Sequence, residues 1–276
     1  MKKKIVLASV LKPPDDVRMY EKLGKSLADN YEVHLFGQTT DCLTSDEQVR
    51  FYPLFRREKW QRLKASWIFF RQLRKVNPEA IIVCTVELLP SALLYKILFR
   101  KKLFYDVQEN YAYNFMYQHV YPFPTKYLMA LVVRMLEWIS RPLVNHYFLA
   151  EQTYAKEFSF SQGKHIILEN KAIIPSEIVP QPAPIQRLPT RFVYSGTISA
   201  VYGALDALDF ILQLKEHIPS VQLLFIGRFA EKSVAERIKT AAQHHPTNVR
   251  IIGGDKWVSH RLILQVLSTA DIAILP

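Results

Sequence analysis

Short apolar runs alternate with amphipathic stretches from one end of this 276-residue chain to the other, and that alternation leaves few folds open. Apolar runs read as strands at residues 4–9, 31–36, 80–85, 103–107, 146–150 and 165–168. Helical spacing appears between them at 16–30, 60–75, 90–99, 125–139 and 152–158; in the first of these Met19, Leu23 and Leu27 recur every fourth residue. Strands that alternate with helices are joined by crossovers, and crossovers build a parallel sheet covered on both faces. Residues 175–189 interrupt the pattern with Pro175, Pro180, Pro182, Pro184 and Pro189, which excludes helix and reads as a linker. The pattern then restarts, with strands at 191–194, 221–226, 249–252 and 272–275 and helices at 204–217, 231–244 and 262–269. The fold expected is α/β. It has two Rossmann-like, doubly wound parallel-sheet domains, residues 1–174 and 190–276, joined by the linker 175–189. The second domain is expected to be incomplete, because its fourth strand has no helix after it.

Composition narrows the class. Hydrophobic and charged fractions of 49% and 22% are globular values. Cys42 and Cys84 offer neither a disulfide framework nor a metal spacing, and read as reduced thiols in a cytosolic protein. The run after Lys2, Lys3 and Lys4 is too short for a signal peptide and reads as a first strand. No apolar stretch approaches the ~18 residues of a membrane span. The net charge of +11 is concentrated: residues 50–102 hold thirteen Lys or Arg against three acids. A localised basic zone calls for an anionic partner, whether lipid headgroups, nucleic acid or a phosphorylated substrate. Within it, Trp60, Lys64, Trp67 and Arg71 lie on the 60–75 helix, with Arg56 and Arg57 just upstream. Tryptophan beside Lys and Arg fits a helix on a membrane surface; a helix packed on its sheet with a solvated cationic face fits equally.

Candidate site residues collect where strands end, as they do in open parallel sheets. Asp106, Gln108, Glu109 and Tyr111 follow the strand at 103–107 and lead into an aromatic-rich loop. Arg18, near the start of the first helix, either reaches the same place or is a surface charge. In the second half, Ser195-Gly196-Thr197 reads as a strand-to-helix turn whose glycine admits a ligand and whose N–H groups suit a phosphate. Arg228 follows the next strand with a guanidinium suited to phosphate or base. Lys256, Trp257 and Val258 lie in the loop after the third strand.

Five segments in order resemble the GT-B glycosyltransferases, in particular the retaining family 4, also called group 1. They are Tyr105-Asp106-Val107-Gln108-Glu109, Ile166-Ile167-Leu168-Glu169-Asn170, Phe192-Val193-Tyr194-Ser195-Gly196, Leu223-Leu224-Phe225-Ile226-Gly227-Arg228, and Ala270-Asp271 through Leu275-Pro276. The resemblance implies a first domain that binds the acceptor through Arg18, Asp106, Gln108, Glu109 and Tyr111. It implies a second that binds a nucleotide-sugar donor through Gly196, Thr197, Arg228, Lys256, Trp257 and Val258. The implied activity is a hexosyl transfer, with retention, to a lipid-linked or saccharide acceptor in cell-surface polysaccharide synthesis. No cofactor and no metal is implied; the nucleotide sugar is a substrate.

The sequence departs from the family in three places. Gln108 stands where members often have His, Thr197 and Tyr202 stand near an expected Arg and Lys, and Lys12-Pro13-Pro14-Asp15-Asp16 replaces a glycine-rich loop. The family's paired glutamates would follow Pro276, so the chain is expected to be a truncated piece that is inactive alone. The expected location is cytoplasmic, peripheral on the inner face of the cell membrane, with an anionic membrane surface as partner and no nucleic acid. The alternatives are another GT-B enzyme such as a nucleotide-sugar epimerase, a basic non-catalytic nucleic-acid-binding protein, and a degenerate domain without activity.

Overall fold

The computed structural model describes residues 2–39, 46–55, 59–117, 122–171, 190–256 and 258–274. The proline-rich linker therefore lies outside the described residues, as do Arg56, Arg57 and Trp257. The chain forms two compact units, Met1–Lys171 and Ala172–Pro276.

The first unit holds a seven-stranded parallel sheet in the order β3-β2-β1-β4-β5-β6-β7. Its strands are β1 (Lys3–Ala8), β2 (Tyr31–Gln38), β3 (Val49–Phe55), β4 (Ala80–Val83), β5 (Lys102–Val107), β6 (His146–Leu149) and β7 (His165–Ile167). The helices are α1 (π-helical over Val17–Gly24, α-helical over Lys25–Ala28), α2 (Lys59–Val76), α3 (Leu89–Phe99), α4 (Tyr111–Tyr117), α5 (Thr125–Ser140) and α6 (Tyr154–Glu157). Period-2 alternation divides the buried strand residues between two cores. Val6, Phe36, Ile81, Val83, Tyr105 and Tyr147 face the helices α2, α3 and α5. Leu7, Leu35, Ile82 and Cys84 face Met19, Tyr20 and Ala28 of α1. The sheet is thus covered on both sides, which is why its central strands are almost wholly apolar.

The second unit contains β8 (Arg191–Ile198), β9 (Gln222–Phe229), β10 (Val249–Gly254) and β11 (Ile272–Ile274), all parallel, in the order β10-β9-β8-β11. Its helices are α7 (Ala204–His217), α8 (Lys232–His244) and α9 (His260–Leu267). Leu208 and Ile211 of α7 and Ile238 of α8 close over Tyr194, Leu223 and Phe225.

Four details depart from the sequence expectation. β3 was not anticipated, because Pro53 breaks the strand signal; β3 is an edge strand, where a missing N–H is tolerated. The aromatic segment after Asn110 is helix α4, not loop. Ser195-Gly196-Thr197 is not a turn but the last part of β8, hydrogen-bonded in register with Ile226, Gly227 and Arg228. The first helix opens with a wide π turn, capped by the Asp16 carboxylate, which accepts from the N–H groups of Arg18 (3.0 Å) and Met19 (3.2 Å).

Candidate functional site

In the first unit the order 3-2-1-4 places a topological switch between β1 and β4, where chain connections diverge and leave room at the strands' C-terminal ends. Backbone leaving β1 is pinned there. Ser9 Oγ accepts from the N–H groups of Leu11 and Lys12, and Val10 N–H donates to Thr85 Oγ1. Gly37 of β2 lets the Pro13–Pro14 backbone lie against it: a Cβ there would come within 2.3 Å of Pro14 N. The π turn then directs Arg18 inward to Asp106, at the end of β5. Arg18 Nη2 and Nε donate to the carboxylate at 2.6 and 3.0 Å, and Nη1 donates to the Leu168 carbonyl at 2.8 Å. Arg18 is 3% exposed and Asp106 0%, so this is a buried, bidentate ion pair and not a surface charge. Burial alone would lower the Arg18 pKa; the hydrogen bonds and charge of Asp106 outweigh it and raise it.

Gln108 belongs to the same network, its Nε2 donating to Asp106 at 2.7 Å. Tyr111 is buried and donates to the Cys84 carbonyl at 3.3 Å. Glu109 is half-buried and accepts from Asn114 Nδ2 at 2.9 Å. The structure therefore gathers Arg18, Asp106 and Gln108 into one cluster, with Glu109 and Tyr111 along the chain from it. Arg18, Asp106 and Tyr111 are occupied by protein partners; Glu109 keeps exposed surface. Two participants carried no sequence signal: the Leu168 carbonyl, 150 residues from Arg18, and Tyr154, whose hydroxyl donates to the Gln108 carbonyl.

The second unit repeats the arrangement with a switch between β8 and β11. Strand register aligns Gly196 of β8, Gly227 of β9 and Gly253 of β10 in one row across the sheet's C-terminal end. Each has a φ that disfavours a side chain: +113°, +150° and +90°. Two are also sterically required. A Cβ on Gly227 would lie 1.8 Å from the Gly196 carbonyl oxygen, and one on Gly253 would lie 2.6 Å from the Gly227 carbonyl oxygen and 2.3 Å from Val258 Cγ2. Gly196 differs: no atom stands within 4 Å of its Cβ position, and Gly196 and Thr197 are exposed. Gly196 thus leaves bare, accessible backbone at the switch point, and Gly253 does so at the other end of the row, with Gly227 buried between them.

Arg228 is half-buried and lies in register with Thr197 and Gly254, one residue beyond the row. Lys256 is exposed, and its carbonyl approaches Gly253. Strand register thus brings Gly196, Thr197 and Arg228 together, and Val258 borders the row at Gly253. The loop after β8 is held by groups that sequence reasoning missed. Tyr194 Oη donates to the Tyr202 carbonyl at 2.9 Å, and the Glu231 carboxylate accepts from Ser199 Oγ at 2.7 Å and Ala200 N–H at 3.2 Å. A tyrosine in a buried strand must find a polar partner, which is a usable signal; nothing local points to Glu231. Among the described residues no group of three His, Cys, Asp or Glu side chains could hold a metal ion.

No protein-family model matches the sequence, and comparison with curated proteins finds no relative. Solved structures do match. Sucrose-phosphate synthase from Thermosynechococcus elongatus superposes with a TM-score of 0.69 at 17% identity, over 100% of this chain and 75% of that one. The catalytic domain of starch synthase IV from Arabidopsis thaliana, bound to ADP and acarbose, gives 0.66 at 13%, over 100% and 78%. Anabaena HepE in complex with UDP and glucose gives 0.63 at 13%, over 98% and 73%. The fold is GT-B. At these identities the likeness establishes architecture, not chemistry.

The basic helix α2 presents Lys64, Trp67 and Arg71 on one exposed stripe, with Trp67 62% exposed and stacked on Phe70. Its other side, Ala65, Phe69, Leu73 and Val76, is packed on the sheet. The helix is packed on its sheet and carries an exposed cationic face. The Trp60 side chain lies outside the described residues. Among the described residues no helix is long and apolar enough to cross a membrane.

Proposed function

We propose that the protein is a glycosyltransferase of the hexosyltransferase type. It moves a sugar, with retention, from a nucleotide-sugar donor to a lipid-linked or saccharide acceptor in cell-surface glycan synthesis. The observation that carries this reading is the glycine row. Gly196 leaves exposed backbone at the switch point, and buried Gly227 and exposed Gly253 continue the row along the C-terminal end of a sheet whose architecture is shared with structures that hold ADP or UDP. In this proposal the diphosphate lies against Gly196 and Thr197, with Arg228 contributing positive charge. Lys256, Trp257 and Val258 border the base. Transfer requires stabilisation of the charge developing on the leaving diphosphate, and fixed N–H dipoles with a guanidinium supply that. The acceptor belongs to the first unit, where the Arg18–Asp106–Gln108 cluster fixes the end of β5 and Glu109 offers a half-buried carboxylate held by Asn114. The proposal includes no metal. It places the protein on the cytoplasmic face of the cell membrane, drawn there by the basic zone.

Titration calorimetry with UDP, ADP and GDP tests the donor site. At least one should bind saturably at one site per chain. Thr197→Glu adds a negative charge at an exposed position and should weaken binding at least about tenfold, as expected for like charges at close range, with the circular dichroism spectrum unchanged. Absence of binding by all three nucleotides would remove the donor site from the proposal.

A further inference from the structure

Helix α5 buries a mixed face and exposes an apolar one. Ala130, Val133 and Ser140 point inward with Glu137 and are buried. The opposite stripe, Leu128, Leu131, Val132, Met135, Trp138 and Ile139, follows the spacing of a single helix face and is exposed throughout, Leu128 at 60% and Trp138 at 68%. The helix has three charged residues, and its interior pair is turned away from that stripe. Arg134 is ion-paired to Glu137 at 3.0 Å and lies over the rings of Tyr113 and Phe158. The third, Lys126, stands in the first turn. Neighbouring α3 continues the pattern, with Leu94, Ile97 and Leu98 exposed at 45%, 58% and 58%. An apolar surface of this extent requires an occupant.

Charge identifies it. α3 packs against both α2 and α5, and across the three helices the one acidic residue is Glu137, which is buried and paired. Around the apolar stripes stand Lys126, Lys96 and Arg100, and at the end of α2 Arg71, Arg74 and Lys75 line a shallow depression of about 300 Å³. A second copy docked face to face through a two-fold axis would set this cationic rim against itself. An anionic bilayer meets both features: acyl chains take the apolar stripe and headgroups take the rim.

We propose that the outer faces of α5 and α3 insert into the interfacial layer of an anionic membrane, with α5 lying in the plane and the cations of α2 at headgroup level. Attachment is therefore apolar as well as electrostatic, and it is centred on α5, not on the basic helix alone. The proposal deepens the membrane placement proposed above, and its failure leaves the donor site, which nucleotide binding tests, untouched.

The test uses the full chain with one tryptophan, obtained by Trp60→Phe, Trp67→Phe and Trp257→Phe, so that Trp138 reports alone. It is mixed with vesicles of phosphatidylglycerol and phosphatidylcholine, or of phosphatidylcholine only, at low and high salt. Trp138 emission should shift to the blue on phosphatidylglycerol vesicles and be quenched by lipids brominated near the headgroup. Binding should survive in part at high salt, because screening removes only the electrostatic share. Leu131→Gln with Met135→Gln, both at exposed positions, should lower the salt-resistant binding by roughly tenfold or more with the fold intact by circular dichroism. Arg71→Glu with Arg74→Glu should lower the low-salt binding, about fivefold or more per cation. Vesicle binding that leaves Trp138 emission and quenching unchanged would overturn the proposal. So would sedimentation showing a stable dimer that Leu131→Gln with Met135→Gln dissociates, since that result makes a second copy the occupant.

Discussion

Replacing Arg18 with Gln should unfold the first unit far more readily than an ordinary surface change. Asp106 is fully buried, and two of its three side-chain donor atoms at 3.0 Å or less belong to Arg18; the third is Gln108 Nε2 at 2.7 Å. Removing the guanidinium strands a carboxylate in the interior with one amide donor, at a cost of about 3–5 kcal/mol. For a slope of roughly 2 kcal/mol per molar urea, that moves the midpoint down by about 2 M. Arg18→Met combined with Asp106→Leu removes both charges together and should recover most of the loss, because a buried pair replaced by apolar groups is close to neutral. The assay is urea titration read by hydrogen exchange of the β1, β5 and β7 peptides, which isolates this unit from the other. If Arg18→Gln moves the midpoint by less than about 0.3 M, the carboxylate does not depend on the pair, and the reading of the cluster as a self-neutralising scaffold fails.

Two further predictions concern the second unit and the pH response. Gly227→Ala should cost more than about 3 kcal/mol, since its Cβ meets the Gly196 carbonyl at 1.8 Å, whereas Gly196→Ala meets nothing and should cost only about 1–2 kcal/mol of backbone strain; equal losses in chemical denaturation would contradict the register. Burial raises the Glu137 pKa from 4.5 to about 7 despite the opposing effect of Arg134. The folded form therefore binds the proton more tightly than the unfolded chain, so this group's contribution to stability is full below pH ~4.5, declines up to pH ~7 and levels off above, by about 3 kcal/mol in all. Glu137→Gln should flatten the decline between pH 5 and 8 in thermal melts; an unchanged slope would mean that Glu137 is ionised throughout.

The sequence by itself determined the two parallel-sheet units and the position of most elements. Strand and helix periodicities are local, and continuous apolar runs such as residues 5–8 or 80–83 can be satisfied only between two layers of helices. It also placed Asp106 correctly at a strand end, because a strand's direction fixes which end carries the loops. Where local signals conflicted it failed. Pro53 hid β3, and Gly196 read as a turn when its positive φ serves a strand whose neighbour is another glycine. Everything that depended on register or packing was decided by tertiary structure. Arg18 meets Asp106 across 88 positions, Ser199 meets Glu231 across 32, and three glycines align only because three strands pair in one register. The two faces of α5 make the same point. The buried face holds Glu137 and Ser140 beside Ala130 and Val133, and the exposed face is the more apolar, so hydropathy alone would have buried the wrong side; packing against α3 and α4 decided it and left Leu131, Met135 and Trp138 outside.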